Sequence, residues 1–199
     1  MSTIYEQTIE KWAETLSQQM HGNKQDNQAV ISYAINILLF NSMVLLIVVL
    51  LSLFLGVFST TMVALAACGS LRIFTGGYHS LNPLHCLIIS TVLLVSCGKI
   101  AIVLAPGIDY YALLAVLSLI MLLALYFTLK NAPMETPNRP IKPEKRPRLR
   151  KKGLVVWSFW MVTLVVLAVL NSGAKEFILA IGLGIAIQTL SLSGLIKNK

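Results

Sequence analysis

"ISYAINILLFNSMVLLIVVLLSLFL", residues 31–55, sets the architecture, because twenty-five residues pass without an Asp, Glu, Lys, Arg or His. A helix rises about 1.5 Å per residue, so about 20 apolar residues cross the hydrocarbon core of a bilayer. Further runs of helical length follow near 57–74, 84–104, 110–129, 154–171 and 177–196. They lack the roughly ten-residue alternation of an outer-membrane barrel. The composition agrees. Of 199 residues 56% are hydrophobic and 12% charged, against about 25% charged in an ordinary soluble domain. Mean hydropathy is +0.77. The chain reads as an all-α integral membrane protein of about six transmembrane helices. The short second run also admits four spans with two re-entrant or buried segments.

Charge supplies the orientation. Eight of the 16 Lys and Arg lie in "RPIKPEKRPRLRKK", residues 139–152. Basic loops are retained in the cytoplasm, so the loop 130–153 is expected inside, together with Lys197 and Lys199. Counting spans backward then places the 72–83 segment and the N-terminus inside as well. Five of the seven prolines fall at 133, 137, 140, 143 and 147, which predicts extended linker rather than helix there. Lys99 and Asp109 are expected at the outer surface. The basic excess reads as membrane orientation, and no nucleic-acid partner is expected.

Residues 1–28 form the first of two regions, ahead of the polytopic domain 29–199. Tyr5, Ile9, Trp12, Leu16 and Met20 recur every three or four positions, as on one face of a helix. That amphipathic helix would lie in the headgroup layer or pack on cytosolic loops. The segment "HGNKQDNQ", 21–28, is expected to be a hinge. No signal-peptide pattern opens the chain.

Between the second and third runs stands "RIFTGGYHSLNPLHC", 72–86, where reactive side chains gather. Seven positions separate His79 from Cys86. On one straight helix that is about 10 Å along the axis, too far for a hydrogen bond. Asn82-Pro83 resolves this, since Asn caps helices and proline suits the first helical position. A loop through 75–82 and a fresh helix from Pro83 would let His79 fold back onto Cys86, with Gly76-Gly77 permitting the turn. Cys86 in a first turn feels the positive end of the helix dipole, which favours thiolate. A histidine in contact can take the thiol proton and return it to a leaving amine. His85, the immediate neighbour, projects about 100° away. An incidental interfacial loop is the alternative reading. A zinc site from His79, His85 and Cys86 lacks ligand spacing and a fourth partner, so neither metal nor cofactor is expected. Cys68 and Cys97 read as small buried hydrophobes. Gly182, Gly184, Ser191 and Ser193 read as helix-packing positions.

The stretch 72–90 resembles the signature of the accessory gene regulator B family, membrane endopeptidases of Gram-positive quorum sensing. The residues that carry it are Arg72, Gly76, Gly77, Tyr78, His79, Cys86 and Ser90, and the outline of the chain agrees. The resemblance implies a cysteine endopeptidase with Cys86 as nucleophile and His79 as general base and acid. Arg72, Gly76, Gly77, Tyr78 and Ser90 would bind substrate or support the site. It further implies removal of the C-terminal tail of a propeptide of the accessory gene regulator D type. An acyl-thioester would form, and a (thio)lactone ring would close. Beyond propeptide and lipid bilayer, it implies pairing as a homodimer. Two rivals of other classes are a peptide exporter and a non-catalytic peptide-binding membrane partner.

Overall fold

The computed structural model describes residues 4–18, 24–77, 83–135, 141, 143–170 and 172–194. Among these, seven helices follow in chain order: α1 (Ile4–Ser17), α2 (Lys24–Phe54), α3 (Phe58–Thr75), α4 (Pro83–Leu104), α5 (Tyr110–Asn131), α6 (Arg146–Leu170) and α7 (Lys175–Leu192). No strand occurs among the described residues, and one parallel bridge pairs Gly76 with Met134. Helices α2 to α7 each carry a stretch long and apolar enough to cross a membrane. The six-helix membrane architecture expected from the runs is the one the chain forms.

The chain divides into two compact units, Met1–Ile47 and Val48–Lys199, and the division falls inside α2. In the first unit, α1 buries Ile9, Ala13 and Ser17, one position per turn, while Trp12 and Leu16 of the anticipated apolar face are exposed. Of the buried positions only Ile9 belongs to the anticipated face. Helix α2 begins at Lys24, inside the segment expected to be a hinge.

In the second unit α7 is the central helix. Eleven of its 18 residues are buried, and it packs against α3, α4, α5 and α6. Gly184 makes a close crossing with α3. A Cβ there would lie 3.1 Å from the Ala64 Cα, so only glycine lets the two backbones approach. At Gly98 of α4 the Thr60 hydroxyl donates to the glycine carbonyl at 3.1 Å. Both indoles of α6 find partners, as buried indoles must: Trp157 donates to the Met121 carbonyl (3.1 Å) and Trp160 to the Ser70 hydroxyl (2.9 Å). Cys68 and Cys97 are buried, as anticipated.

One boundary departs clearly from the sequence reading. Helix α6 starts at Arg146, well before the apolar run at 154, and a 3-10 turn, Pro143–Lys145, precedes it. Pro147 is tolerated because a first-turn residue has no intrahelical partner for its N–H. Arg and Lys are good helix formers, so the basic stretch winds rather than trailing as linker. Asp109 caps α5, accepting from the Tyr111 and Ala112 amides at 2.9 and 3.1 Å. Lys175 donates to the Ile108 carbonyl at 3.0 Å, tying that loop to the start of α7.

Candidate active site

At the opposite end of this bundle α3 closes on three buried residues, Thr75, Gly76 and Gly77. The Thr75 hydroxyl donates to the Leu71 carbonyl at 2.8 Å. The Gly76 amide donates to the Arg72 carbonyl at 3.0 Å, and Gly76 takes φ 69. A Cβ at Gly76 would stand 2.5 Å from the Met134 carbonyl oxygen. Gly77, with φ 147, is equally crowded, since its Cβ would overlap the Ser191 hydroxyl. The two glycines expected to permit a tight turn are therefore required twice, by backbone conformation and by space.

Gln188 of α7 closes this turn. Only 1% of it is exposed. Its amide nitrogen donates to the Thr75 hydroxyl at 2.9 Å and to the Gly76 carbonyl at 2.6 Å. A carbonyl can only accept, so the amide orientation is fixed and both amide hydrogens are used. The amide oxygen of Gln188 is buried without a hydrogen-bond partner among the described residues, which costs about 1–3 kcal/mol.

The basic segment is fastened beside the turn. Arg150 donates through Nε to the Ala132 carbonyl at 2.8 Å, and Arg146 pairs with Glu135. The Lys152 ammonium sits 5.7 Å from the centroid of the Phe74 ring. Asn131 donates to the Leu192 carbonyl at 2.7 Å, joining the ends of α5 and α7. The motif and the basic stretch thus share one end of the bundle, as the span parity requires.

Helix α4 opens at Pro83, where the Asn-Pro pair predicted it. Cys86 lies in its first turn, half-buried. Its Sγ is 4.0 Å from the Ser90 Oγ one turn on, and neither Cys86 nor the other two cysteines is in a disulfide. His85 is exposed. Arg72 lies in the last turn of α3 and is half-buried. Tyr78 and His79 lie outside the described residues, and so does the anticipated contact between His79 and Cys86. The structure brings together Cys86 with Ser90, and Gly76 and Gly77 with Gln188 and Ser191.

Sequence reasoning passed over Thr75, Met134 and Gln188. A signal for the last existed: a glutamine within an apolar span is costly and tends to serve function. Nothing in the linear sequence ties Met134 to Thr75, since the bond joins the segment after α5 to the last residue of α3.

The family model for accessory gene regulator B matches residues 9–192. The chain is 26% identical over 189 residues to AgrB-like protein 2 of Clostridium perfringens strain 13, covering 91% of this chain and 87% of that one. It is 24% identical over 176 residues to an AgrB-like protein of strain SM101, covering 84% and 82%. No solved structure matches. With six helices fit to cross a membrane and a family match over nearly all its length, the chain belongs to the accessory gene regulator B family, which supports a role in quorum-sensing peptide processing at the cell membrane.

Proposed function

We propose that the protein is a membrane cysteine endopeptidase that removes the C-terminal tail of an accessory gene regulator D propeptide, with Cys86 as nucleophile and His79 as general base and acid. The observation that carries this is the place of Cys86: half-buried in the first turn of a helix that starts afresh at Pro83. Unpaired amides at a helix start stabilise a thiolate, and Ser90 adds a hydroxyl at 4.0 Å.

In this reading His79 takes the Cys86 proton and the thiolate attacks the scissile carbonyl carbon. The C–N bond breaks, the tail amine takes the proton back from the imidazolium, and the signal segment stays on Cys86 as a thioester. A thiol within the signal segment then gives its proton to His79 and attacks the thioester carbon. A thiolactone ring closes and Cys86 leaves as thiolate. Exchange between thioesters is nearly balanced, so ring closure needs proximity, which lowers barriers by about 7–11 kcal/mol. Exclusion of water favours closure over hydrolysis. The cationic groups at this end of the bundle suit an acidic tail.

In the same reading the site faces the cytoplasm. Basic segments stay inside, and Arg146–Lys152 lies at the same end as Thr75–Gly77. Purified protein in liposomes with the propeptide tests the reading. Cleavage into tail and ring is expected. Movement of uncut peptide would indicate an exporter, and binding alone a non-catalytic partner.

A further inference from the structure

The basic stretch of α6 holds a cavity of about 280 Å³ lined by Arg146, Pro147, Arg150, Lys151 and Leu154. At about 100° per residue these five positions fall on one face of the helix. Arg146 and Arg150 stand one turn apart, a spacing at which like charges repel. Both are nevertheless held in place. Arg146 pairs with Glu135, and Arg150 donates through Nε to the Ala132 carbonyl at 2.8 Å. That bond uses one of the five N–H donors of a guanidinium. Lys151 is exposed and adds a third cation, so Glu135 offsets one of three. Retention of a loop in the cytoplasm needs basic residues within it, but not three of them around one cavity. Donors fixed in advance around a space are what binds an anion.

Depth and the surface below the cavity identify the anion. Leu154 is half-buried and opens the apolar run of α6, and Lys151 precedes it by about 4.5 Å along the helix axis. The cations therefore stand where lipid headgroups meet hydrocarbon. Two and three turns beyond Leu154, Met161 and Val165 continue its face, and both are exposed. An apolar track thus leads from the cavity down the span. A free phosphate or an acidic peptide would engage the cations and leave that track uncovered. A phospholipid covers both. We propose that the cavity binds the phosphate of an anionic phospholipid, with Arg146, Arg150 and Lys151 around the headgroup and an acyl chain along Leu154, Met161 and Val165. Occupation offsets the repulsion between Arg146 and Arg150. The site is independent of the cysteine chemistry.

The test titrates the purified full-length protein in an uncharged detergent with lipid and measures bound lipid by native mass spectrometry. Dioleoyl phosphatidylglycerol is expected to bind about tenfold to thirtyfold more tightly than dioleoyl phosphatidylcholine, the scale of a few cations acting on an anionic headgroup. Arg146→Gln combined with Lys151→Gln should bring the two lipids within about threefold of each other. Lys145→Gln combined with Arg148→Gln makes the same change of charge away from the cavity and should leave the preference intact. Inorganic phosphate and a hexaglutamate peptide, each at the lipid's concentration, should not displace phosphatidylglycerol. A preference that survives in the cavity variant overturns the proposal, and so does an equal loss in the control pair. Displacement by phosphate would make this a free-anion site and displacement by hexaglutamate a peptide site, and either overturns the lipid assignment. Should the double cavity variant fail to fold, Lys151→Gln alone, at an exposed side chain, carries the measurement, and an unchanged preference there overturns the proposal.

Discussion

The Met134 amide donates to the Thr75 carbonyl at 2.9 Å, binding the segment after α5 to the last turn of α3. Through this bond the polar motif and the connection leading to the basic helix become one structure. The crowding at Gly76 follows directly from it, because the Met134 carbonyl occupies the space a side chain would need.

Gly76→Ala should therefore impair both folding and cleavage. It adds a Cβ 2.5 Å from a backbone oxygen at a residue with φ 69, and a strained residue in that region costs about 1–3 kcal/mol. Gly69→Ala is the control. It lies mid-helix with nothing within 4 Å of the added atom, so it should be neutral or stabilising by about 0.5–1 kcal/mol. Thermal melts and cleavage rates of the two variants side by side decide the point; equal behaviour would contradict the crowding argument.

Replacing each cysteine should separate chemistry from packing. Cys86→Ala and Cys86→Ser are expected to abolish propeptide cleavage. Cys68→Ala and Cys97→Ala should retain most of it, since both thiols are buried within α3 and α4. Full activity in Cys86→Ala would remove the nucleophile from the proposal.

Orientation can be read by maleimide labelling of intact cells, with the native cysteines removed. A cysteine at Glu144, exposed in the turn before α6, should react only with a membrane-permeant reagent. One at Gly107, exposed between α4 and α5, should react with an impermeant one as well. The opposite pattern would invert the protein and move the candidate site outside.

Arg72 is expected to act with the acidic tail of the propeptide. A single exposed pair contributes about 0–1 kcal/mol, so Lys145→Ala should change little. Arg72 is half-buried at the end of α3, where a bidentate carboxylate contact is stronger and lysine cannot reproduce it. Arg72→Lys should lower cleavage well beyond any single exposed substitution in 143–152. A double-mutant cycle that combines Arg72→Lys with a neutralised tail tests the pairing. Losses smaller together than their sum are expected, whereas simple addition would show that the two are not partners.

The helical membrane fold was legible in the linear sequence, because an uncharged run such as 31–55 leaves its backbone no alternative to helix in hydrocarbon. So was the start of α4, since Asn82-Pro83 is a local signal, and so was the turn at Gly76 and Gly77. Cys86 stood out for the same reason: helix-start electrostatics depend on near neighbours in the chain. Other features were settled only when distant segments met. That α6 winds through the basic, proline-containing stretch depends on where its first turn falls relative to Pro147. That α1 buries Ile9, Ala13 and Ser17 while leaving Trp12 and Leu16 exposed depends on packing, not periodicity. The partnership of Gln188 with Thr75 and Gly76 spans more than a hundred residues. Hydrogen bonds of such range have no local signature, because the residues that make them are chosen by the crossing of α3 and α7, where Gly184 lets the two backbones close.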